Sequence, residues 1–202
     1  MINVLHNRVK ERMGEKRFLH TLGVVKMTEY LAEKCLPDML VELIYAAYLH
    51  DITKEIPDEE QFALLKKCPF EIDEDEFASK PIHHSFTAPT VVKKDFPEYS
   101  TDRVLSAVQK HTVGDADMST FDLIIFVADY VEENRTYKSC VRMRDELISG
   151  MTDDVSHNVL HLNKIALKII DLTLDFIKKS GHRTVRKTLL AKEAIERKIK
   201  EI

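Results

Sequence analysis

The stretch AAYLHDITKEIP, residues 46–57, sets a His and an Asp side by side at the end of an apolar run. Leu40, Leu43, Ala47 and His50 share one helical stripe, with Asp51 at its edge, so both ionisable groups fall on the face that a helix buries. Neighbouring residues on a helix point about 100° apart, so this pair can converge on one point only where the backbone turns. The segment ITKEIP supplies such an end, with Pro57 beyond it.

Three other segments repeat the pattern. His20, Val24, Met27 and Leu31 share a face, with Arg17 one turn before His20. Val104, Ala107, Val108 and His111 do the same, and Asp129 lies between LIIFVA (123–128) and Tyr130-Val131. One histidine on an apolar face is an ordinary core residue. A buried ionised carboxylate is different, because its desolvation is costly unless a cation compensates. Asp51 and Asp129 both need one, and a divalent metal held by His20, His50, Asp51 and Asp129 satisfies all of these groups together. This H…HD…D order explains why His50 and Asp51 are expected in the interior.

Working outward, apolar residues recur at helical spacing almost everywhere, and no run alternates long enough to read as a strand. The pattern predicts helices near 2–12, 17–35, 38–51, 58–67, 84–95, 101–111, 119–134, 137–149, 154–179 and 184–200. Breaks fall at Pro37-Asp38, Pro57-Asp58, Pro97, and the acidic run EIDEDE at 71–76, which lacks the turn glycine of a calcium loop and reads as a solvated loop. The expectation is one all-α domain over residues 1–202, a helical bundle with a core of about 12–179 and a C-terminal helix, 184–200, packed on it. Glu193 and Glu196 interleave the basic residues of that last helix, which reads as a solvated face.

Composition narrows the function. The chain has 202 residues, five glycines and a net charge of −4. The glycines are scattered, so neither a P-loop nor a G-x-G-x-x-G turn exists, and phosphate has to be met by metal and by cationic side chains. The acidic balance disfavours nucleic acid as a partner. Cys35, Cys68 and Cys140 are odd in number and form no C-x-x-C pair, which fits reduced thiols and a cytoplasmic location. The N-terminus lacks the apolar core of a signal peptide, and no apolar run is long enough to span a membrane. His157 and His161 stand four apart without the glutamate of H-E-x-x-H and read as surface or packing residues, and His6 is given no role.

RFLH (17–20), LHDITK (49–54), HTVGDADMS (111–119) and ADYVEENR (128–135) are similar to motifs of the HD-domain phosphohydrolases. Within them the chain resembles the bacterial symmetrical diadenosine-tetraphosphate hydrolase branch, over about residues 12–195. By position, His20, His50, Asp51 and Asp129 match the metal ligands of that family. His84 and His111 match two further pocket histidines, which can hold a second metal or a substrate phosphate. In PIHHS, the face shared with Ala88 and Val91 favours His84, with His83 as the alternative. Two departures stand out: Ser85 follows His84 where the branch has Gly, and Val185-Arg186 replace an expected His-Pro, leaving His182, Arg183 and Arg186 as substitutes.

The resemblance implies hydrolysis of a dinucleoside tetraphosphate at its central bridge, diadenosine tetraphosphate giving two ADP, with iron in one- or two-ion form. The imidazole and carboxylate set also suits Mn, Co, Zn or Ni. Asp51, Lys54, His84 and His111 are the expected catalytic group. Substrate contacts are expected from Arg17, Asp51, Ile52, Thr53, Lys54, His84, His111, Asp129, Tyr130 and Arg135. The partner implied is a small nucleotide, and a homodimer is allowed. Two other readings stay open: an HD phosphohydrolase for a monophosphate or cyclic dinucleotide, and a non-catalytic nucleotide sensor.

Overall fold

Residues 120–131, TFDLIIFVADYV, are apolar on nearly every side, and a helix of that kind has to be surrounded. The computed structural model describes residues 1–201 and is built around this segment. In chain order the helices are α1 (Ile2–Lys10), α2 (Glu15–Cys35), α3 (Leu40–Leu49), α4 (Asp58–Leu65), α5 (Glu74–Ala78), α6 (His83–Asp95), α7 (Asp102–Lys110), α8 (Thr120–Val131), α9 (Lys138–Ser149), α10 (Val155–Lys179) and α11 (Arg186–Glu201). No strand occurs among the described residues. Helix α8 is contacted by α2, α3, α7, α9 and α10. Leu123, Ile124, Ile125 and Val127 are buried there, each contributing roughly 1.5–3 kcal/mol.

Local chemistry sets the helix ends. Ser119 and Asp122 form a reciprocal capping box at the start of α8. At its other end Arg144 of α9 donates from Nε to the Val131 carbonyl (2.5 Å), and from Nη2 to the carbonyls of Glu132 and Arg135. Arg144 thus holds the last carbonyl of α8 and two of the turn that follows, and the helix ends at Val131 rather than near 134. Helix α3 ends at Leu49, two residues earlier than predicted. From there the chain closes short turns, with Ile52 N–H donating to Leu49 O (3.2 Å) and Lys54 N–H to Asp51 O (2.9 Å).

The structure corrects the acidic run. Asp73 and Glu76 form a capping box that starts α5, and Glu76 is fully buried. Its Oε1 accepts from Lys187 of α11 at 2.7 Å, while Oε2 accepts from the Asp73 amide at 2.9 Å. Composition alone hid a carboxylate whose partner lies on the last helix. The apolar core also begins earlier than residue 12, since Leu5 and Val9 of α1 are fully buried in the cluster that contains Ala191 and Ile195 of α11. His157 and His161 do pack, against α9: their Nε2 atoms lie 3.1 Å from Gly150 O and 3.2 Å from Glu146 O.

Removing one member of a buried ion pair strands the other, at a cost of about 3–5 kcal/mol. Lys187→Met is therefore expected to lower unfolding free energy by roughly that amount. Urea denaturation reads this directly, and a loss below about 1 kcal/mol would show the pair to be no stronger than a surface bridge.

Candidate metal centre

Three helices finish at one place. His50 is the C-cap of α3, His111 is the C-cap of α7, and Asp129 lies two residues before the end of α8. Helix C-termini carry partial negative charge, so their meeting point favours a cation. Helix α2 supplies His20 from its side, and α6 supplies His84 from its first turn.

The side chains converge. His20 Nε2 lies 3.0 Å from Asp129 Oδ1 and 3.6 Å from Asp51 Oδ2. His50 Nε2 is 3.4 Å from Asp51 Oδ2 and 3.9 Å from Asp129 Oδ1. On the other side of Asp51, its Oδ1 is 3.2 Å from His84 Nε2 and 3.6 Å from His111 Nε2. The donor atoms of His20, His50 and Asp129 lie within 4.8 Å of one another, and so do those of His50, Asp51 and His111. Asp51 thus stands between two groups of imidazoles.

The tautomers make this a fit for a divalent ion. His50 Nδ1 is 2.7 Å from the Ala47 carbonyl, and His111 Nδ1 is 2.7 Å from the Val108 carbonyl. A carbonyl only accepts, so both histidines carry their proton on Nδ1 and turn the Nε2 lone pair toward the cluster. Both carbonyls belong to a last helical turn, where no amide follows to claim them. His20 Nδ1 donates in the same way, to Glu132 Oε1 at 3.1 Å. The buried Nε2 atoms of His20 and His50 have no hydrogen-bond partner. The 3.0 Å approach of His20 to Asp129 is therefore close without being aligned as a hydrogen bond. Orphaned Nε2 atoms beside two carboxylates are what a divalent ion coordinates.

Cations ring the acids. Arg17 Nη1 pairs with Asp51 Oδ2 at 2.7 Å, and Arg135 Nη2 pairs with Asp129 Oδ1 at 2.7 Å. Burial pushes both carboxyls up, but His50 and His111 beside Asp51, and Arg135 beside Asp129, hold them well below the usual carboxylate range. Burial also lowers Lys54 and takes His84 well below its ordinary value, so His84 is neutral. Lys54 Nζ lies 3.1 Å from His84 Nδ1, and Thr112 Oγ1 lies 3.1 Å from His84 Nε2. Burial would lower His20 too, yet Asp129, Glu132 and Asp51 outweigh it and raise His20 to about 9.

His83 Nε2 lies 2.9 Å from the Phe77 carbonyl, whereas His84 Nε2 lies 3.2 Å from Asp51 Oδ1. Ile52 is buried in the main core, and the Thr53 hydroxyl donates to His84 O (3.0 Å) and meets Thr87 Oγ1 (2.9 Å). The Thr53 side chain thereby ties the loop after α3 to α6. Tyr130 is half-buried against the core. At the C-terminus Arg183 pairs with Asp75 and Val185 is buried beside Leu65, Phe86 and Val113. Glu132 was not given a role from the sequence, although it follows Asp129 by only three residues, just beyond the end of α8. An open groove of about 500 Å³, which includes Phe70, Pro89 and Leu105, contains none of the His/Asp cluster, so the chemistry is placed by its donors and not by cavity size.

The HD domain family model matches residues 17–134, which span four of the clustered side chains and both others at 84 and 111. The chain belongs to the HD domain family. It is 28% identical over 184 residues to the symmetrical bis(5'-nucleosyl)-tetraphosphatase of Bacillus subtilis, covering 90% of each chain. The Staphylococcus aureus protein of the same name is 28% identical over 183 residues, 89% of this chain and 87% of that one. A predicted HD superfamily hydrolase involved in NAD metabolism, from Clostridium acetobutylicum, superposes with a TM-score of 0.84 over 98% of both chains at 24% identity. That last likeness speaks for the HD fold alone. Among the described residues no helix is long and apolar enough to cross a membrane.

A metal entering this HD cluster has to displace the proton held by His20. Because the His20 pKa is raised, the proton competes until the pH passes about 9. Apparent Mn(II) affinity is therefore expected to climb with pH toward that value and then level off. Calorimetry in buffers of different ionisation heat should register release of on the order of one proton near neutral pH. Affinity that stays flat across this range removes His20 from the ligand set.

Proposed function

We propose that this HD-domain protein hydrolyses dinucleoside tetraphosphates at the central phosphoanhydride, so that diadenosine tetraphosphate and water give two ADP. The observation that carries the reading is a pair of arginine-held carboxylates, Asp51 and Asp129, faced by the orphaned Nε2 atoms of His20 and His50. Near full-length similarity to two symmetrical tetraphosphatases supports the choice of substrate. Iron is the ion proposed, and the donor set accommodates Mn, Co, Zn or Ni as well. Three free cysteines support the cytoplasm as the site of action.

His20, His50, Asp51 and Asp129 would hold the divalent ion, which would supply Lewis-acid polarisation of a phosphoryl oxygen and activation of water. The protein's own residues do the rest. Arg17, Lys54 and Arg135 lie around the cluster and meet a polyphosphate's remaining charges, with the arginine forks suited to paired phosphate oxygens. The Nε2 lone pair of His111, 3.1 Å from His84 Nε2 beside Asp51, is placed to accept a hydrogen bond from water. Water oxygen bonds to one central phosphorus and gives its proton to His111 Nε2, the bond from that phosphorus to the bridging oxygen breaks, and the departing ADP oxygen takes up a proton. Lys54, whose pKa burial lowers, is the nearby proton donor for that oxygen.

The test is a product analysis on purified protein with diadenosine tetraphosphate and Fe(II) or Mn(II). ADP as the sole product is expected. Asp51→Ala should reduce turnover by more than about 100-fold, beyond what disturbing a ligand's support alone costs. ATP plus AMP would overturn the symmetrical cut, and cleavage of only a monophosphate or cyclic dinucleotide would reassign the substrate. Lys54→Met should lower kcat by roughly 100-fold or more while leaving metal content unchanged. An unaltered kcat would take Lys54 out of the reaction.

A further inference from the structure

Each inward-facing imidazole needs an acceptor on Nδ1 if its Nε2 lone pair is to face the cluster. His50 and His111 find theirs at home, on carbonyls three residues back in a terminal turn. His20 cannot do this. It lies inside α2, where the carbonyls of the preceding turn are taken up by the helix's own amides. Its acceptor comes instead from Glu132, 112 positions away in sequence and 1% exposed.

The surroundings of Glu132 are built for that reach. Its Oε1 meets His20 Nδ1 at 3.1 Å, while Oε2 accepts from the Asn134 amide at 2.6 Å. Asn134 Nδ2 donates to the Leu19 carbonyl at 3.1 Å, which lays the turn 132–134 against α2. Position 23, one turn after His20, is glycine. A Cβ there would lie 2.1 Å from Glu132 Oε2 and 2.8 Å from Asn134 Nδ2, distances no side chain tolerates. Arg144 grips the carbonyls of Glu132 and Arg135, and the same turn delivers Arg135 to Asp129.

We infer that Glu132 is the positioning residue of His20, holding its imidazole in the Nδ1–H form, and that Gly23 is the notch in α2 that admits the Glu132 carboxylate. This rests on the metal reading of the cluster. Glu132 touches neither Asp51 nor Asp129; it acts through His20, both by orienting the ring and by making Nε2 a stronger donor.

The experiment compares chelator-treated wild type, Glu132→Gln and Gly23→Ala for binding of Mn(II) alone by calorimetry, with melting temperatures alongside. Glu132→Gln is expected to bind Mn(II) about 10–100-fold more weakly, at a melting temperature close to wild type. Gly23→Ala, which on helix propensity alone should stabilise α2, is expected to weaken Mn(II) in the same direction by displacing the carboxylate. As a measurement that needs no variant, imidazole nitrogen NMR of the Zn(II)-loaded wild type should find the His20 proton on Nδ1. A Glu132→Gln protein that binds Mn(II) like wild type overturns the inference, as does a His20 proton found on Nε2. Wild type that binds no Mn(II) is a separate outcome, and it overturns the metal reading itself.

Discussion

Two carboxylates taken into the interior govern the rest of this structure. Asp51 and Asp129 sit where desolvation opposes their charge, and everything packed around them answers that opposition. Arg17 and Arg135 each hold one acid, Lys54 lies one shell further, and four imidazoles close the remaining directions. Such an arrangement is a poor way to gain stability, because ion pairs of this depth roughly offset their own desolvation. Its value is in chemistry: a cluster of imidazoles and carboxylates inside a helical bundle that could hold a divalent ion.

Helix termini do much of the construction. The last turn of any α-helix leaves carbonyls without partners, and here α3 and α7 spend theirs on locking His50 and His111. The negative ends of α3, α7 and α8 meet at the same point and add to the pull on a cation. The loop after α3 is then fastened to its neighbours by a buried set of hydroxyl and amide contacts. Thr53 bonds to His84 O and Thr87, and Gln61 Nε2 donates to Thr53 O at 2.5 Å. A side chain that sequence comparison would assign to substrate can thus serve the site by keeping its loop in place.

How far the sequence reached depends on how local each signal was. Helical periodicity exposed the stripes carrying His20, His50 and His111, and the isolation of Asp129 among apolar residues marked it as a candidate. The helical face shared with Ala88 and Val91 favoured His84 over His83, and it is His84 that the structure sets beside Asp51. Glu76 was misread because an acidic run looks solvated, and nothing within it points to Lys187, 111 residues away. Glu132 went unremarked for a related reason: a glutamate after an apolar helix is ordinary unless the glycine facing it across the bundle is known.

The sequence by itself determined the all-α class, the side chains that face inward, and the need for a cation beside Asp51 and Asp129. These follow from periodicity and from the cost of burying charge, both of which are properties of a residue and its near neighbours. Only the tertiary structure decided which nitrogen of each histidine faces the cluster, which arginine holds which acid, and where His20 finds its acceptor. Those are matters of direction between helices distant in the chain, and hydrogen bonds, being directional and short, are settled only when the helices have packed.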